Sequence, residues 1–193
     1  MLARLPRPWR IVLDWTLTIA GAVLFVLVFE AEVAKPYRIP SASMEPTLRC
    51  ARPANGCTAQ FSDRIIVNRL AYHFRAPRRG DIVVFHAPPS AATTCGAAGE
   101  YVKRIVGLPG ETVSERAGTI LVDGRALREP YVASLHRDVR SGSWGRIPAG
   151  RYFLLGDNRA DSCDSRSWGT IPRNDLVGPV IAVYWPPPRL EIT

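Results

Sequence analysis

Residues 101–111 read YVKRIVGLPGE, a short β-branched run that ends in a Gly-Leu-Pro-Gly turn. This pattern is typical of a β-strand. Similar runs separated by Gly, Pro or Asp occur on both sides of it, at residues 64–70, 81–85, 119–122, 152–155 and 177–185. Asp123 and Gly124, directly after one of these runs, are a typical type I′ hairpin turn. Because no helical pattern of three turns follows residue 30, we predict that this part of the chain is mainly β.

Lys103 lies in the middle of this run, and the only other lysine in the chain is Lys35. Strand alternation predicts that the Lys103 side chain shares a face with Tyr101 and Ile105. An apolar face disfavours the ammonium form, so the pKa of this lysine is expected to fall, and a neutral amine can act as a general base. Arginine could not do so, because it stays charged. The alternative is an edge-strand lysine that prevents aggregation, and the segment alone favours that interpretation.

An apolar segment, IVLDWTLTIAGAVLFVLVF, occupies residues 11–29 and contains a single charged residue, Asp14. As a helix it would span about 28 Å, close to the thickness of the hydrocarbon core of a bilayer. Three arginines precede the segment and two glutamates follow it, which places the N-terminus in the cytoplasm by the positive-inside rule. We therefore predict a cytoplasmic N-terminus at 1–10, a transmembrane helix at 11–29 and an extracytoplasmic domain at 30–193.

A cleaved signal peptide is the alternative, since it also combines a basic start with an apolar run. Cleavage after Ala31 or Ala34 would place Phe29 or Glu32 at a position that needs a small residue. We therefore predict an uncleaved, single-pass anchor.

The composition excludes some classes of protein. A chain of 193 residues with 47% hydrophobic and 22% charged residues can bury a core, so global disorder is excluded. The net charge of +8 would suit nucleic acid or an anionic membrane. No nucleic-acid-binding signature accompanies that charge, and the domain is predicted to lie outside the cytoplasm. We therefore expect the basic surface to face solvent or membrane lipid, with no nucleic-acid partner.

Two further segments are dense in hydroxyl and charged groups. Residues 39–48 read IPSASMEPTL, a serine-bearing turn stiffened by two prolines, and residues 156–169 read GDNRADSCDSRSWG. A histidine-dependent triad is not supported, because no serine elbow accompanies His73, His86 or His136, which we interpret as surface or structural residues. Metal-ligand spacing such as CxxC is absent as well, so no metal is predicted.

Four cysteines in a domain outside the cytoplasm favour disulfides, with free buried thiols as the alternative. Cys50 and Cys57 flank the segment ARPANG, whose Pro, Asn and Gly residues allow it to turn back on itself. This favours a local bridge between these two cysteines and leaves Cys95 and Cys163.

Four segments together carry a family resemblance. They are PSxSMxPTL (40–48), DIVVF (81–85), YVKRIVGLPGE (101–111) and GDNRxxSxDSRxxG (156–169), in this order behind an N-terminal anchor. They resemble bacterial type I signal peptidases, membrane-bound Ser/Lys proteases that remove signal peptides from exported preproteins. The likeness covers residues 11–185 in layout. It implies antiparallel β-sheets with a small β cap at residues 112–150, preprotein signal peptides and membrane lipid as partners, no cofactor, and a place in the bacterial cytoplasmic membrane.

The resemblance also implies roles for individual residues. Ser43 corresponds to the nucleophile and Lys103 to the general base. Ser41 would donate its hydroxyl to an oxyanion hole beside the Ser43 N–H. Ser162 would hydrogen-bond to the Lys103 amine and orient it. Asp164 and Arg166 would form a structural pair that supports this loop, and Asp157 and Arg104 would be further supporting charges. Small pockets selective for Ala-x-Ala would be lined by Tyr37, Ile39, Leu48 and Val102.

A second disulfide follows from the same resemblance. If Lys103 and Ser162 touch, then Cys95 and Cys163, which lie eight residues before the first and one after the second, become neighbours. We therefore expect a bridge between Cys95 and Cys163 that ties the lysine strand to the loop at 156–169.

Two other functions remain open at this stage. One is a specialised relative that matures a pilus or conjugation protein, and the other is a membrane-anchored β module that binds without catalysis. The second is disfavoured because a catalytically inactive relative would be expected to lose a member of the set Ser41, Ser43, Lys103 and Ser162. The sequence does not indicate an oligomeric state.

Overall fold

The computed structural model describes residues 6–96 and 99–192. Its first element is helix α1 (Arg7–Glu32), in which Pro8–Leu27 is long and apolar enough to cross a membrane, with a mean hydropathy of 1.8. No residue of the most apolar 18-residue stretch in this segment is buried inside the protein. The helix is longer at both ends than the predicted segment 11–29, because charged residues continue the helical backbone beyond the apolar part. The boundaries at residues 10 and 29, and the choice of an anchor over a cleaved signal peptide, stay predictions.

Strands make up most of the chain after α1. In chain order they are β1 (Ala34–Arg38), β2 (Arg64–Asn68), β3 (Ile82–His86), β4 (Glu100–Gly107), β5 (Thr112–Arg116), β6 (Thr119–Val122), β7 (Arg125–Ala126), β8 (Gly142–Arg146), β9 (Arg151–Leu155), β10 (Ile171–Pro172), β11 (Leu176–Trp185) and β12 (Glu191–Ile192). Three short helices interrupt them: α2 (Ala71–Phe74), α3 (Pro89–Cys95) and α4 (Ser165–Trp168). The prediction of a mainly β domain is confirmed.

The strands form two sheets whose paired strands are antiparallel. The larger sheet has the order β1-β2-β11-β3-β4-β9-β10, with β12 beside β11. The smaller sheet has the order β7-β6-β5-β8 and is built within residues 112–146, inside the segment expected to form a cap. We call residues 112–150 the cap segment.

Strand β4, which carries Lys103, is an interior strand. It pairs with β3 on one side, where Lys103 faces Val83, and with β9 on the other. The edge-strand explanation of Lys103 is therefore wrong, since a lysine between two paired strands cannot protect a sheet edge. Alternation along β3 places Val83 and Phe85 in one hydrophobic cluster and Val84 in another, so both faces of the sheet are covered here.

All six predicted β-branched runs fall on strands, and the predicted hairpin is confirmed. Asp123 and Gly124 have φ values of 49° and 75°, and they connect β6 to β7. A second turn of this kind, which the sequence analysis missed, joins β5 to β6 through Ala117 and Gly118 at φ 44° and 76°. Alanine rarely adopts a left-handed conformation, so the sequence does not predict a turn at this position.

Candidate active site

Ser43 lies in a short 3-10 turn, Ala42–Met44, that follows strand β1. The loop after strand β9 holds this turn in place. The Asn158 backbone N–H donates to the Ser43 carbonyl at 3.1 Å, and the Asn158 side-chain amide donates to the Ala42 carbonyl at 3.2 Å. Ala42 and Met44 are buried on either side of the serine. The Ser43 hydroxyl is therefore carried on a turn with little freedom to move.

The Lys103 amine donates a hydrogen bond to Ser43 Oγ at 2.6 Å. The lysine side chain is only 2% exposed, and this burial lowers its pKa to about 8. The carboxylates of Asp164 and Asp157 oppose the shift, because negative charge favours the ammonium form. A substantial fraction of Lys103 is therefore neutral at mildly alkaline pH and able to accept the proton of Ser43.

Ser41 lies on the open side of the same turn. Its hydroxyl is 3.3 Å from Ser43 Oγ, and the residue is exposed to solvent. The two serines and Lys103 all line one cleft. The structure thus brings together three of the four residues for which the resemblance implies direct roles.

Ser162 is the fourth, and its predicted hydrogen bond to Lys103 is not formed. Its Oγ is buried and has no hydrogen-bond partner in the described part of the chain. The hydroxyl instead lies against Gly156, close to the Ser43 carbonyl, while the lysine amine bonds to Ser43. A Cβ added at Gly156 would come within 2.2 Å of Ser162 Oγ and 2.4 Å of the Ser43 carbonyl oxygen. Glycine is required here because three segments of chain meet without room for a side chain.

Two ion pairs support the loop at 156–169. Arg104 donates to both carboxylate oxygens of Asp157, at 2.8 and 2.6 Å, and Thr47 donates to Asp157 at 2.6 Å. Arg166 donates to both oxygens of Asp164, at 2.8 and 2.9 Å. The resemblance implied the pair of Asp164 with Arg166, and it implied Asp157 and Arg104 only as supporting charges. Both pairs have the fork geometry that arginine favours.

Acidic residues of the cap segment complete this network, and the sequence analysis missed them. Glu129 accepts two hydrogen bonds from Arg159, and both side chains are 1% exposed. Asp138 lies 2.6 Å from Arg166, and Glu115 lies 3.6 Å from it. Burial raises the pKa of Glu115 to about 7. In the sequence these are isolated acids in a polar segment, and nothing marks them as buried partners of distant arginines.

The cleft beside Ser43 has a volume of about 300 Å³ and walls that are partly apolar. Three of the predicted pocket residues line it, namely Tyr37, Ile39 and Val102. Leu48 does not, because its side chain is 1% exposed and packs into the hydrophobic core beneath the turn. Met44, Val84 and Tyr101 line the cleft and were missed. Their positions depend on how β3, β4 and the turn pack together, which no local pattern reveals.

The structure contains disulfides between Cys50 and Cys57 and between Cys95 and Cys163. The second joins the end of α3 to the residue after Ser162, and so links the segment before β4 to the loop at 156–169. Glu45, Cys50 and Cys57 lie close enough to hold a metal ion, but both sulfurs are in a disulfide and offer no thiolate. None of the three histidines lines the cleft.

Comparisons with known proteins agree with this geometry. The family model described as "Signal peptidase, peptidase S26" matches residues 12–185. The chain is 39% identical over 176 residues to a signal peptidase I of Leptolyngbya laminosa, covering 90% of this chain and 79% of that protein. It is 37% identical to a probable signal peptidase I-2 of a Synechocystis species, with coverage of 91% and 74%. It is 34% identical to a signal peptidase I of Mycobacterium tuberculosis, with coverage of 87% and 70%. The chain therefore belongs to the signal peptidase family, peptidase S26.

Proposed function

We propose that this protein is a signal peptidase I, a membrane-bound serine endopeptidase that removes N-terminal signal peptides from exported preproteins after an Ala-x-Ala-like motif. The observation that carries the proposal is the 2.6 Å contact between the buried Lys103 amine and Ser43 Oγ. A serine hydroxyl is a poor nucleophile until a base removes its proton, and a neutral lysine is such a base.

The chemistry follows from the positions of these groups. Neutral Lys103 takes the proton of Ser43 as Oγ attacks the scissile carbonyl carbon, and a tetrahedral oxyanion forms. The Ser41 hydroxyl and the Ser43 N–H stabilise that charge, and each such donor contributes about 3 to 4 kcal/mol. The lysine ammonium then protonates the leaving amine, and the acyl-enzyme remains. The amine, neutral again, activates water for hydrolysis of the ester.

The cleft and its neighbours support the substrate class. An apolar cleft of this size beside the nucleophile suits small side chains on the acyl side of the scissile bond. Ile39 and Val102 contribute branched apolar side chains to its walls, and we expect them to favour small residues at the positions that precede the cut. Asp157, Arg104, Asp164 and Arg166 support the loop behind the lysine and do not line the cleft.

We further propose that α1 anchors the protein in the bacterial cytoplasmic membrane as a single span, with the N-terminus in the cytoplasm and the catalytic domain outside. The apolar window Pro8–Leu27 and the arginines that precede it support this topology. Strand β1 begins two residues after the helix ends, which supports a domain that starts close to the membrane surface. Membrane lipid is then a partner in addition to the preprotein.

The test uses the full chain in detergent and a preprotein with an Ala-x-Ala site. Ser43→Ala and Lys103→Arg are each expected to lower the cleavage rate by about 10⁴-fold or more, because arginine keeps the charge but cannot become neutral. Ser167→Ala, at an exposed serine of α4, is the matched control and is expected to cleave at the wild-type rate. Thermal unfolding checks that each variant is folded.

Full activity in either Ser43→Ala or Lys103→Arg would overturn the mechanism. A panel of preproteins separates a general enzyme from the specialised alternative, since the general enzyme cleaves many Ala-x-Ala sites and the specialised relative only its own. Binding of signal peptides by the wild-type chain without any cleavage would instead favour the non-catalytic module.

A further inference from the structure

A second cavity, of about 650 Å³, shares no lining residue with the cleft beside Ser43. Two arginines and two histidines line it, Arg69, Arg173, His73 and His86, and among the residues that the structure describes no Asp or Glu does. We call it the basic cavity. A concave site with cationic walls and no carboxylate attracts an anion, because low-dielectric walls focus the field of the charges.

Three of the four arginine and histidine side chains of the basic cavity are free to bind a ligand. The side chains of Arg69, His73 and His86 make no hydrogen bond or ion pair to any residue within 6–96 and 99–192. The Arg173 guanidinium is held by the backbone carbonyls of Tyr72 and Arg75 and is not neutralised by a carboxylate. A guanidinium fixed by carbonyl groups keeps its full positive charge and presents its remaining N–H groups in a set direction.

The basic cavity also opens toward the end of the membrane helix. It shares Arg69, His86 and Val177 with a neighbouring groove that is also lined by Leu27. Within the described part of the chain, that groove contains one carboxylate, Glu100, which is paired with Lys35 at 3.3 Å. Leu27 is the last residue of the candidate membrane span Pro8–Leu27. The Arg69 backbone N–H donates to the carbonyl of Val33, one residue beyond α1, at 3.0 Å. The cavity therefore lies at the level where the span ends, which is the depth of the phosphate groups of the lipid.

We propose that the basic cavity binds the phosphate group of an anionic phospholipid in the outer leaflet. The proposal rests on the membrane anchoring argued above. Arg69 and Arg173 would hold the phosphate oxygens, and the two histidines would add N–H donors. Such a contact attaches the protein to the membrane at a second point, in addition to α1. Two points of attachment fix the tilt of the domain, so the Ser43 cleft stays at one height above the bilayer.

The test measures lipid binding by the full chain in a nonionic detergent. Dioleoyl phosphatidylglycerol and dioleoyl phosphatidylcholine are titrated separately, and bound lipid is counted by native mass spectrometry. We expect one saturable phosphatidylglycerol site, with affinity at least about tenfold above that for phosphatidylcholine. Arg69→Gln and His86→Ala are each expected to weaken it, the former by about tenfold. The control is Arg128→Gln, which removes the same charge from an exposed position in the cap segment.

Equal phosphatidylglycerol binding by Arg69→Gln, His86→Ala and Arg128→Gln would overturn the proposal. Inorganic phosphate is the second arm: if it displaces the lipid at equimolar concentration, the site takes a soluble phosphate and the lipid assignment fails. A preprotein cleavage assay in detergent distinguishes a failure of the lipid-binding proposal from a failure of the proposed function. Arg69→Gln is expected to cleave at the wild-type rate while losing lipid, and Ser43→Ala to bind lipid normally while losing cleavage.

Discussion

The carboxylate of Glu129 in the cap segment and the guanidinium of Arg159 in the loop at 156–169 form a salt bridge with both side chains 1% exposed. Arg159 also donates to the carbonyl of Gly156 at 2.9 Å. The adjacent Asn158 holds the turn that carries Ser43. The cap segment therefore acts on the nucleophile through two steps, although it contributes no residue to the cleft.

Replacing Glu129 by Ala should destabilise the protein by about 3 to 5 kcal/mol, because it leaves a buried guanidinium without its counter-charge. It should also lower kcat, because Arg159 is no longer held in position to donate its hydrogen bond to the Gly156 carbonyl. The double variant Glu129→Ala with Arg159→Met removes both charges and should recover part of the lost stability. Denaturant unfolding of the three proteins measures this, and a double variant less stable than Glu129→Ala would contradict it.

Gly156→Ala should lower kcat by about 100-fold or more. The new Cβ would lie 2.2 Å from Ser162 Oγ and 2.4 Å from the Ser43 carbonyl oxygen, so one of these must move by about 1 Å, and misplacement of that size commonly costs this much. Gly178→Ala is the matched control, because its Cβ would come equally close to the Asn68 carbonyl but away from the cleft. Both variants should lose stability, and only Gly156→Ala should lose kcat per folded molecule.

Many of the strands and the segments of the site could be predicted from the sequence, because each is marked by a pattern within a single short segment. Each β-branched run became a strand, and the motifs at 40–48, 101–111 and 156–169 marked the segments that meet at Ser43. Strand β1 was missed because Pro36 and three charged or aromatic neighbours interrupt the apolar alternation expected of a strand. The strand forms nevertheless, since it lies at the edge of the larger sheet, where proline is tolerated. Strand β8, GSWGR, was missed because two glycines weaken it.

The parts that could not be predicted depend on contacts between distant segments. Glu129 is buried against Arg159, which lies 30 residues later in the chain, and no local pattern predicts that contact. Leu48 follows the serine turn closely enough to suggest a pocket position, but the turn folds it into the core instead. The Ser162 hydroxyl illustrates the same limit, since a motif places the residue near the site without specifying which atom it touches.

The two disulfides should contribute unequally to stability. The bridge between Cys95 and Cys163 closes a separation of 68 residues, and that between Cys50 and Cys57 closes a separation of 7. Loop-closure entropy then predicts losses of about 4 and about 2.5 kcal/mol when each pair is replaced by alanine. Urea unfolding of the two double variants checks the order. Only loss of the first bridge should also lower kcat, because Cys163 is next to Ser162.

Cleavage should depend on pH through Lys103, whose pKa is lowered to about 8 by burial. The neutral amine is the active form, so kcat/KM should rise about tenfold per pH unit below that value and level off above it. A preprotein-derived peptide without groups that titrate between pH 6 and 9 isolates the contribution of the enzyme. A midpoint near 10.5, the ordinary value for lysine, would show that the amine is not desolvated in the working enzyme.

The same shift should appear as a change in stability with pH. Between about pH 8 and 10.5 the unfolded chain keeps the Lys103 proton while the folded protein has lost it, so the free energy of unfolding rises with pH in this window. Below the window the lysine is protonated in both states, and above it the lysine is neutral in both. Lys103→Met removes the titration but keeps most of the apolar stem. The stability of the wild type relative to Lys103→Met should therefore increase by about 3 kcal/mol from pH 8 to 10.5. A difference that stays constant across this range would mean that the buried amine keeps its proton, and it could not then be the base that activates Ser43.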